Sequence, residues 1–154
     1  MRVLLLILFV VSSVFAEQTL THATRLIKQH EGYSKHLYVD TNGYSIGYGT
    51  NLTYGITKEE ASLLLKHRLS IVEHQLQQYV WYNELPINRK VVLLDMTYNI
   101  GLAKLLQFKG FIWCLKNKYW HAAANHMKSS LWYHQTGNRA KSLVYMMYYN
   151  KEQE

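Results

Sequence analysis

Apolar residues recur at helical spacing soon after residue 17. Leu20, Ala23 and Ile27 lie on one helical face, and the same stripe reaches Glu31 one turn later. Gly32 follows, the residue type that most often succeeds a helix end. The pattern predicts a helix that ends at Glu31 with its carboxylate facing inward. The spacing then changes. Leu37–Val39 and Tyr44–Tyr48 read as strands on either side of Asn42-Gly43, the strongest short-range signal for a two-residue hairpin turn. That turn would set Thr41 opposite Tyr44 and Asp40 opposite Ser45, on one face of the sheet.

Helical spacing returns for the rest of the chain. Thr57 and Glu60 form a capping box, and Leu64, Leu65, Leu69, Ile71 and Val72 supply an apolar face on a helix reaching about Tyr79. Asn88 is placed to cap a helix carrying Val91, Val92, Leu94 and Tyr98 and ending near Gly101. Shorter helices are predicted over about 110–117, 119–127 and 138–149. The aromatic pattern puts Trp120 and Trp132 in the core. A hairpin region followed by a mostly helical region is an α+β layout.

One apolar run has no period. Val3 to Val11 is unbroken, follows Met1-Arg2 and leads to Val14 and Ala16. This is the pattern of a secretory signal peptide cut before Glu17. The run is short of the roughly 20 residues of a spanning helix. The expected organisation is a leader over 1–16 and one domain over 17–154, secreted and not inserted in a membrane once the leader is cut. A leader that stays as a signal-anchor is the competing reading.

Composition narrows the chemistry. The 154 residues hold a single Pro and thirteen Tyr, so this is no linker-like chain. Cys114 is the only cysteine and has no partner for an internal disulfide. It is expected to be buried as a small apolar residue. His30-Glu31 opens like a zinc-protease motif but meets Ser34 where a second His is required, and no metal is expected. Gly47-Tyr48-Gly49 lacks the third glycine of a dinucleotide loop, because position 52 is Leu. The net charge of +7 suits a polyanionic partner, either nucleic acid or an anionic cell envelope. No arginine-rich run or nucleic-acid fingerprint accompanies it.

Glu31 and Asp40 remain as the candidate pair. A carboxyl at a helix C-terminus and facing inward favours protonation, while one on a hairpin edge stays ionised. Glycoside hydrolysis uses two carboxyls in such different states. The plainer reading makes Glu31 a solvated helix-end residue and Asp40 a turn residue.

"HEG", "LYVDTNGYSIGYGTNLT" and "WHAAANHMKSSLWYHQTGNRAK" together resemble the phage-type lysozymes, glycoside hydrolase family 24. The likeness runs from near Leu20 past Lys141. It implies a lysozyme-like fold, with a small β-hairpin lobe, a larger helical lobe and an active-site cleft between them. It implies a monomeric endo-muramidase that cleaves peptidoglycan by inversion, without metal, cofactor or nucleic acid. Glu31 would be the general acid, Asp40 would hold or activate water, and Ser45 would stand where the family has Thr. Tyr48, Asn51, Tyr98 and Arg139 would bind substrate, Arg139 being the family arginine that approaches the catalytic Glu. The chain departs from the pattern at four places. The step from Asp40 to Ser45 is one residue shorter, the hydroxyl is Ser, Thr50 stands where many members have His, and Gly137 replaces a common Pro. Asn51-Leu52-Thr53 is also a glycosylation sequon, and its place beside the cleft argues against occupancy. A catalytically inactive peptidoglycan-binding relative and a basic nucleic-acid-binding module are the competing functions.

Overall fold

The structure is a computed structural model that describes the backbone of residues 2–152 and the side chains of residues 17–152. The leader expected over 1–16 lies outside the described side chains. The chain divides into two compact units, Met1–Lys58 and Glu59–Glu154.

The first unit holds α1 (Arg2–Glu31), β1 (Ser34–Asp40), β2 (Gly43–Gly47) and β3 (Thr50–Asn51). As predicted, α1 stops at Glu31, and Gly32 leaves the helix with φ +70°. The three strands make an antiparallel sheet in the order β1-β2-β3. Of the described side chains in this unit only Ser45, on the central strand, is buried. Glu31 is exposed, not inward as the stripe suggested, and so are Leu20 and Ile27 on the same stripe.

The second unit is helical: α2 (Lys58–Gln77), α3 (Val80–Asn83), α4 (Ile87–Ile100), α5 (Leu102–Leu105), α6 (Lys109–Lys116), α7 (Trp120–Lys128), α8 (Leu131–Thr136) and α9 (Asn138–Tyr149). A small sheet in one unit and helices in the other make the chain α+β. Leu76, Val92, Leu93, Met96, Leu105, Phe111 and Met147 are among the residues of its core, with Cys114 buried and free among them. Trp132 is buried and Trp120 packs against the core. The apolar face expected on α2 is only partly used. Val72 packs on the core and Leu76 is buried, but Leu64, Leu65 and Ile71 are exposed.

Asn88 does not cap α4. Pro86 holds the N-cap position, and the Asn88 amide donates to the Asn150 carbonyl at 2.5 Å. Beside it, the buried Arg89 donates to the Met147 and Tyr148 carbonyls at 2.9 and 3.3 Å and lies 4.1 Å from the Trp120 ring centroid. Arg89 satisfies two carbonyls that α9 leaves unpaired at its C-terminus, where a cation is also favoured by the helix dipole, and Asn88 satisfies that of the residue just past it. Burial lowers the Arg89 pKa from its ordinary value. Among the described residues no helix is long and apolar enough to cross a membrane.

Candidate active site

The hairpin brings Asp40 and Ser45 together, by a register other than the expected one. Asp40 pairs with Gly43 and Tyr38 with Ser45, so Thr41-Asn42 forms the turn. Thr41 and Asn42 both have negative φ, which excludes the mirror-image turn that Asn-Gly favours, and the positive φ falls on Gly43 at +113°. The Asp40 side chain explains the choice. Its Oδ1 accepts the Asn42 backbone N–H at 2.7 Å, an Asx turn that replaces the expected one. Its Oδ2 accepts the Ser45 hydroxyl at 2.7 Å. These bonds hold the Asp40 carboxyl below its ordinary value of 3.8. Ser45 contributes most, then the Asn42 N–H; the slight burial opposes them and the Gly43 N–H adds to them.

Two residues of the following segment clamp this turn. The Asn51 amide donates to the Asn42 carbonyl at 3.0 Å, and Asn51 Oδ1 accepts the Thr53 N–H at 2.9 Å. The Thr53 hydroxyl donates to the same Asn42 carbonyl at 3.2 Å and accepts the Tyr44 N–H at 3.1 Å. It lies so close to Gly43 that a Cβ there would stand 2.0 Å from Thr53 Oγ1. Asn51, expected to bind substrate, thus spends its amide on the turn. The sequence marks Thr53 only as the last residue of a sequon. Thr50, Asn51 and Thr53 form a short polar stretch broken by Leu52, with no local signal that marks Thr53 as a clamp.

Glu31 lies in the same unit. A Cβ on Gly49 would meet Glu31 Oε2 at 3.0 Å, so the carboxylate rests against a glycine backbone that adopts φ +77°. The next ring, Tyr48, is 40 % exposed. Tyr33 packs 5.3 Å from its centroid, and the Lys28 ammonium sits 5.1 Å from it. Thr50 is exposed and pairs with Ile46 in the sheet.

The remaining candidates belong to the second unit. Arg139 Nε donates to both Asp95 oxygens, at 2.9 and 3.2 Å, a partner the sequence did not suggest. Asp95 is one helical turn before Tyr98 and Asn99 on α4. Tyr98 is exposed, and Asn99 Oδ1 accepts the Trp132 indole N–H at 2.9 Å. Asn99, Lys104, Gln107, Trp132, Gln135 and Arg139 are among the residues lining a cavity of about 630 Å³. At the α8–α9 joint Gly137 has φ +64°, which Pro cannot adopt, so this joint differs in backbone from one built on the family's Pro.

The family described as Phage lysozyme has a sequence profile that matches residues 28–146. "Probable T4-type lysozyme 1" of Dictyostelium discoideum is 27 % identical over 151 residues, covering 77 % of this chain and 89 % of that protein. "Probable T4-type lysozyme 2" of the same organism is 26 % identical with the same coverage. The matched span takes in Glu31, Asp40, Ser45 and Arg139 and most of both units: the chain belongs to the phage lysozyme family and is a lysozyme-type glycosidase.

Proposed function

We propose that the chain is an endo-muramidase that hydrolyses β-1,4 bonds between N-acetylmuramic acid and N-acetylglucosamine in bacterial peptidoglycan, with inversion, and so lyses cells. The observation that carries this reading is the 2.7 Å bond from the buried Ser45 to Asp40, which keeps one carboxylate ionised and fixed in direction. Glu31, as a carboxylic acid, gives its proton to the glycosidic oxygen as the bond to C1 breaks. Water attacks C1 from the opposite face and loses a proton toward Asp40. Holding the Asp40 carboxyl low makes it a weak base. Its main work is then to orient water, through Oδ2 and the Ser45 hydroxyl, and to offset positive charge on the sugar. Tyr48, Asn51, Tyr98 and Arg139 belong to the same proposal as substrate contacts.

The same reading has the chain exported by residues 1–16, cut before Glu17 and active as a secreted monomer with peptidoglycan as its partner. N-terminal sequencing of exported material tests the cut. Release of reducing ends from purified peptidoglycan tests the chemistry, and the anomer formed first, followed by NMR, tests inversion. Glu31→Gln is expected to abolish release with the fold intact, because the amide cannot donate the proton; general acid catalysis supplies about 10²–10⁴-fold. Wall binding without any release of reducing ends by the parent chain would replace the enzyme reading with an inactive binding relative.

A further inference from the structure

α9 carries two faces. Ala140, Leu143 and Met147 are buried in the core of the second unit. A surface helix ordinarily turns charged and polar residues to the other side. Here Lys141, Tyr145, Tyr148 and Tyr149 follow one another at helical spacing and, with Lys128 of α7 and Tyr133 of α8, line a groove of about 390 Å³. No carboxylate lines it. The rings are ordered against one another. Tyr149 packs at 4.6 Å from Tyr145 and 4.5 Å from Tyr148, and His121 stacks on Tyr148 at 3.9 Å with planes 1° apart. Tyr149 remains 56 % exposed. None of Glu31, Asp40, Ser45 or Arg139 takes part.

From this we infer that the groove is a second binding site, for a glycan chain that carries anionic groups. Ordered tyrosines, Tyr149 exposed and the other three partly so, offer flat apolar faces for sugar rings and hydroxyls for their polar edges at little entropic cost. Lys128 and Lys141 offer two cations for carboxylates or phosphates, and the chain's excess of basic over acidic residues, which removal of the leader with Arg2 leaves in place, favours the same partner at longer range. A bare polyanion would use the lysines and leave the tyrosines idle. An uncharged sugar would leave the lysines idle. The site would hold the enzyme on the wall between cleavages. The inference rests on the muramidase reading only for the choice of wall glycan, and binding is read without turnover so that the two can fail separately.

The test measures binding of the mature chain carrying Glu31→Gln to three probes: intact bacterial walls, walls stripped of phosphodiester polymers, and single-stranded DNA. Tyr145→Ala with Tyr149→Ala is expected to weaken wall binding about tenfold or more, as loss of interface tyrosines commonly does. Tyr149→Phe, which keeps the ring and loses the hydroxyl, should bind walls more tightly than the tyrosine pair variant and less tightly than the parent. Lys128→Ala with Lys141→Ala should weaken binding and flatten its salt dependence. Circular dichroism should match the parent for every variant, and melting should leave each of them fully folded at the temperature of the binding assay. Retained binding on stripped walls identifies carboxylates as the anionic groups, and lost binding identifies phosphates. In the Glu31-containing enzyme, the tyrosine pair should raise KM on walls and leave kcat on short soluble oligosaccharides unchanged. The inference is overturned if the tyrosine pair binds walls like the parent, if only the lysine pair matters, or if DNA is bound more tightly with the same dependence on tyrosine.

Discussion

Gly43→Ala should disable the candidate site without melting the helical unit. Gly43 has φ +113°, and an added Cβ would lie 2.0 Å from Thr53 Oγ1, where contacts under 3.0 Å force a shift. Backbone in the left-handed region costs about 1–2 kcal/mol for a residue with a Cβ. Moving Thr53 away breaks its bonds to the Asn42 carbonyl and the Tyr44 N–H, worth about 1 kcal/mol each. The local cost is then about 3–4 kcal/mol. With Ser45 the only buried residue among the first unit's described side chains, little packing resists a rearranged turn. Amide exchange at Tyr44 should accelerate by roughly 10²-fold or more, the factor that such a loss gives. Because the Asn42 N–H anchors Asp40, a displaced turn should also slow peptidoglycan cleavage by about 10²-fold. Thr53→Ala removes the clashing hydroxyl and the same two bonds. Added to Gly43→Ala it should cost almost nothing further, so the two changes are strongly non-additive. Parent-like exchange at Tyr44 in Gly43→Ala, or simple additivity in the double variant, would refute the clamp.

Asp40 is held below its ordinary 3.8, so its contribution to stability is present above that pH and is lost as pH falls through the folded value. Ser45→Ala removes the largest cause and should move the Asp40 titration, followed by carboxyl NMR, up toward 3.8; an unmoved titration would acquit the hydroxyl. Arg89→Met strips two carbonyls at the end of α9 of their donor and removes the contact with Trp120, and should cost about 3 kcal/mol and ~10 °C or more in melting temperature. A loss under about 1 kcal/mol would mean that water replaces the guanidinium at those carbonyls. Cys114→Ser buries an added hydroxyl in the core and should destabilise by about 1–3 kcal/mol, clearly more than Cys114→Ala. Equal melting temperatures for the two would show that the core supplies the hydroxyl with a partner.

Elements with their own local signal were legible. Gly32 and Gly101 mark the ends of α1 and α4, and α9 spans the residues its pattern predicted. The four-residue helices α3 and α5 are too short to show a period. Asn88 looked like a cap because Asn often is one, yet its amide serves a carbonyl 62 positions away, a use that no local window reveals. The Asp95–Arg139 pair, 44 positions apart, was hidden for the same reason. On α2 the spacing identified an apolar stripe but not how much of it the core would take up.

The hairpin shows how Asp40 and Ser45 come together in a register other than the expected one. The expected pairing set position 40 against 45; the structure sets 40 against 43 and 38 against 45, a slip of two residues. Side chains alternate faces with a period of two, so a slip of two returns each one to its own face, whereas a slip of one would have sent Ser45 to the other. Asp40 and Ser45 become diagonal neighbours instead of opposed ones. With only Gly43 opposite Asp40, no side chain stands between them and the 2.7 Å bond can form. The residue that changed the register is Asp40 itself, since its Oδ1 draws the Asn42 N–H into an Asx turn. One carboxylate therefore sets the turn with one oxygen and meets Ser45 with the other. A step from Asp40 to the hydroxyl that is one residue shorter than the family's is compatible with the pair because the turn is closed by the carboxylate and not by Asn-Gly alone.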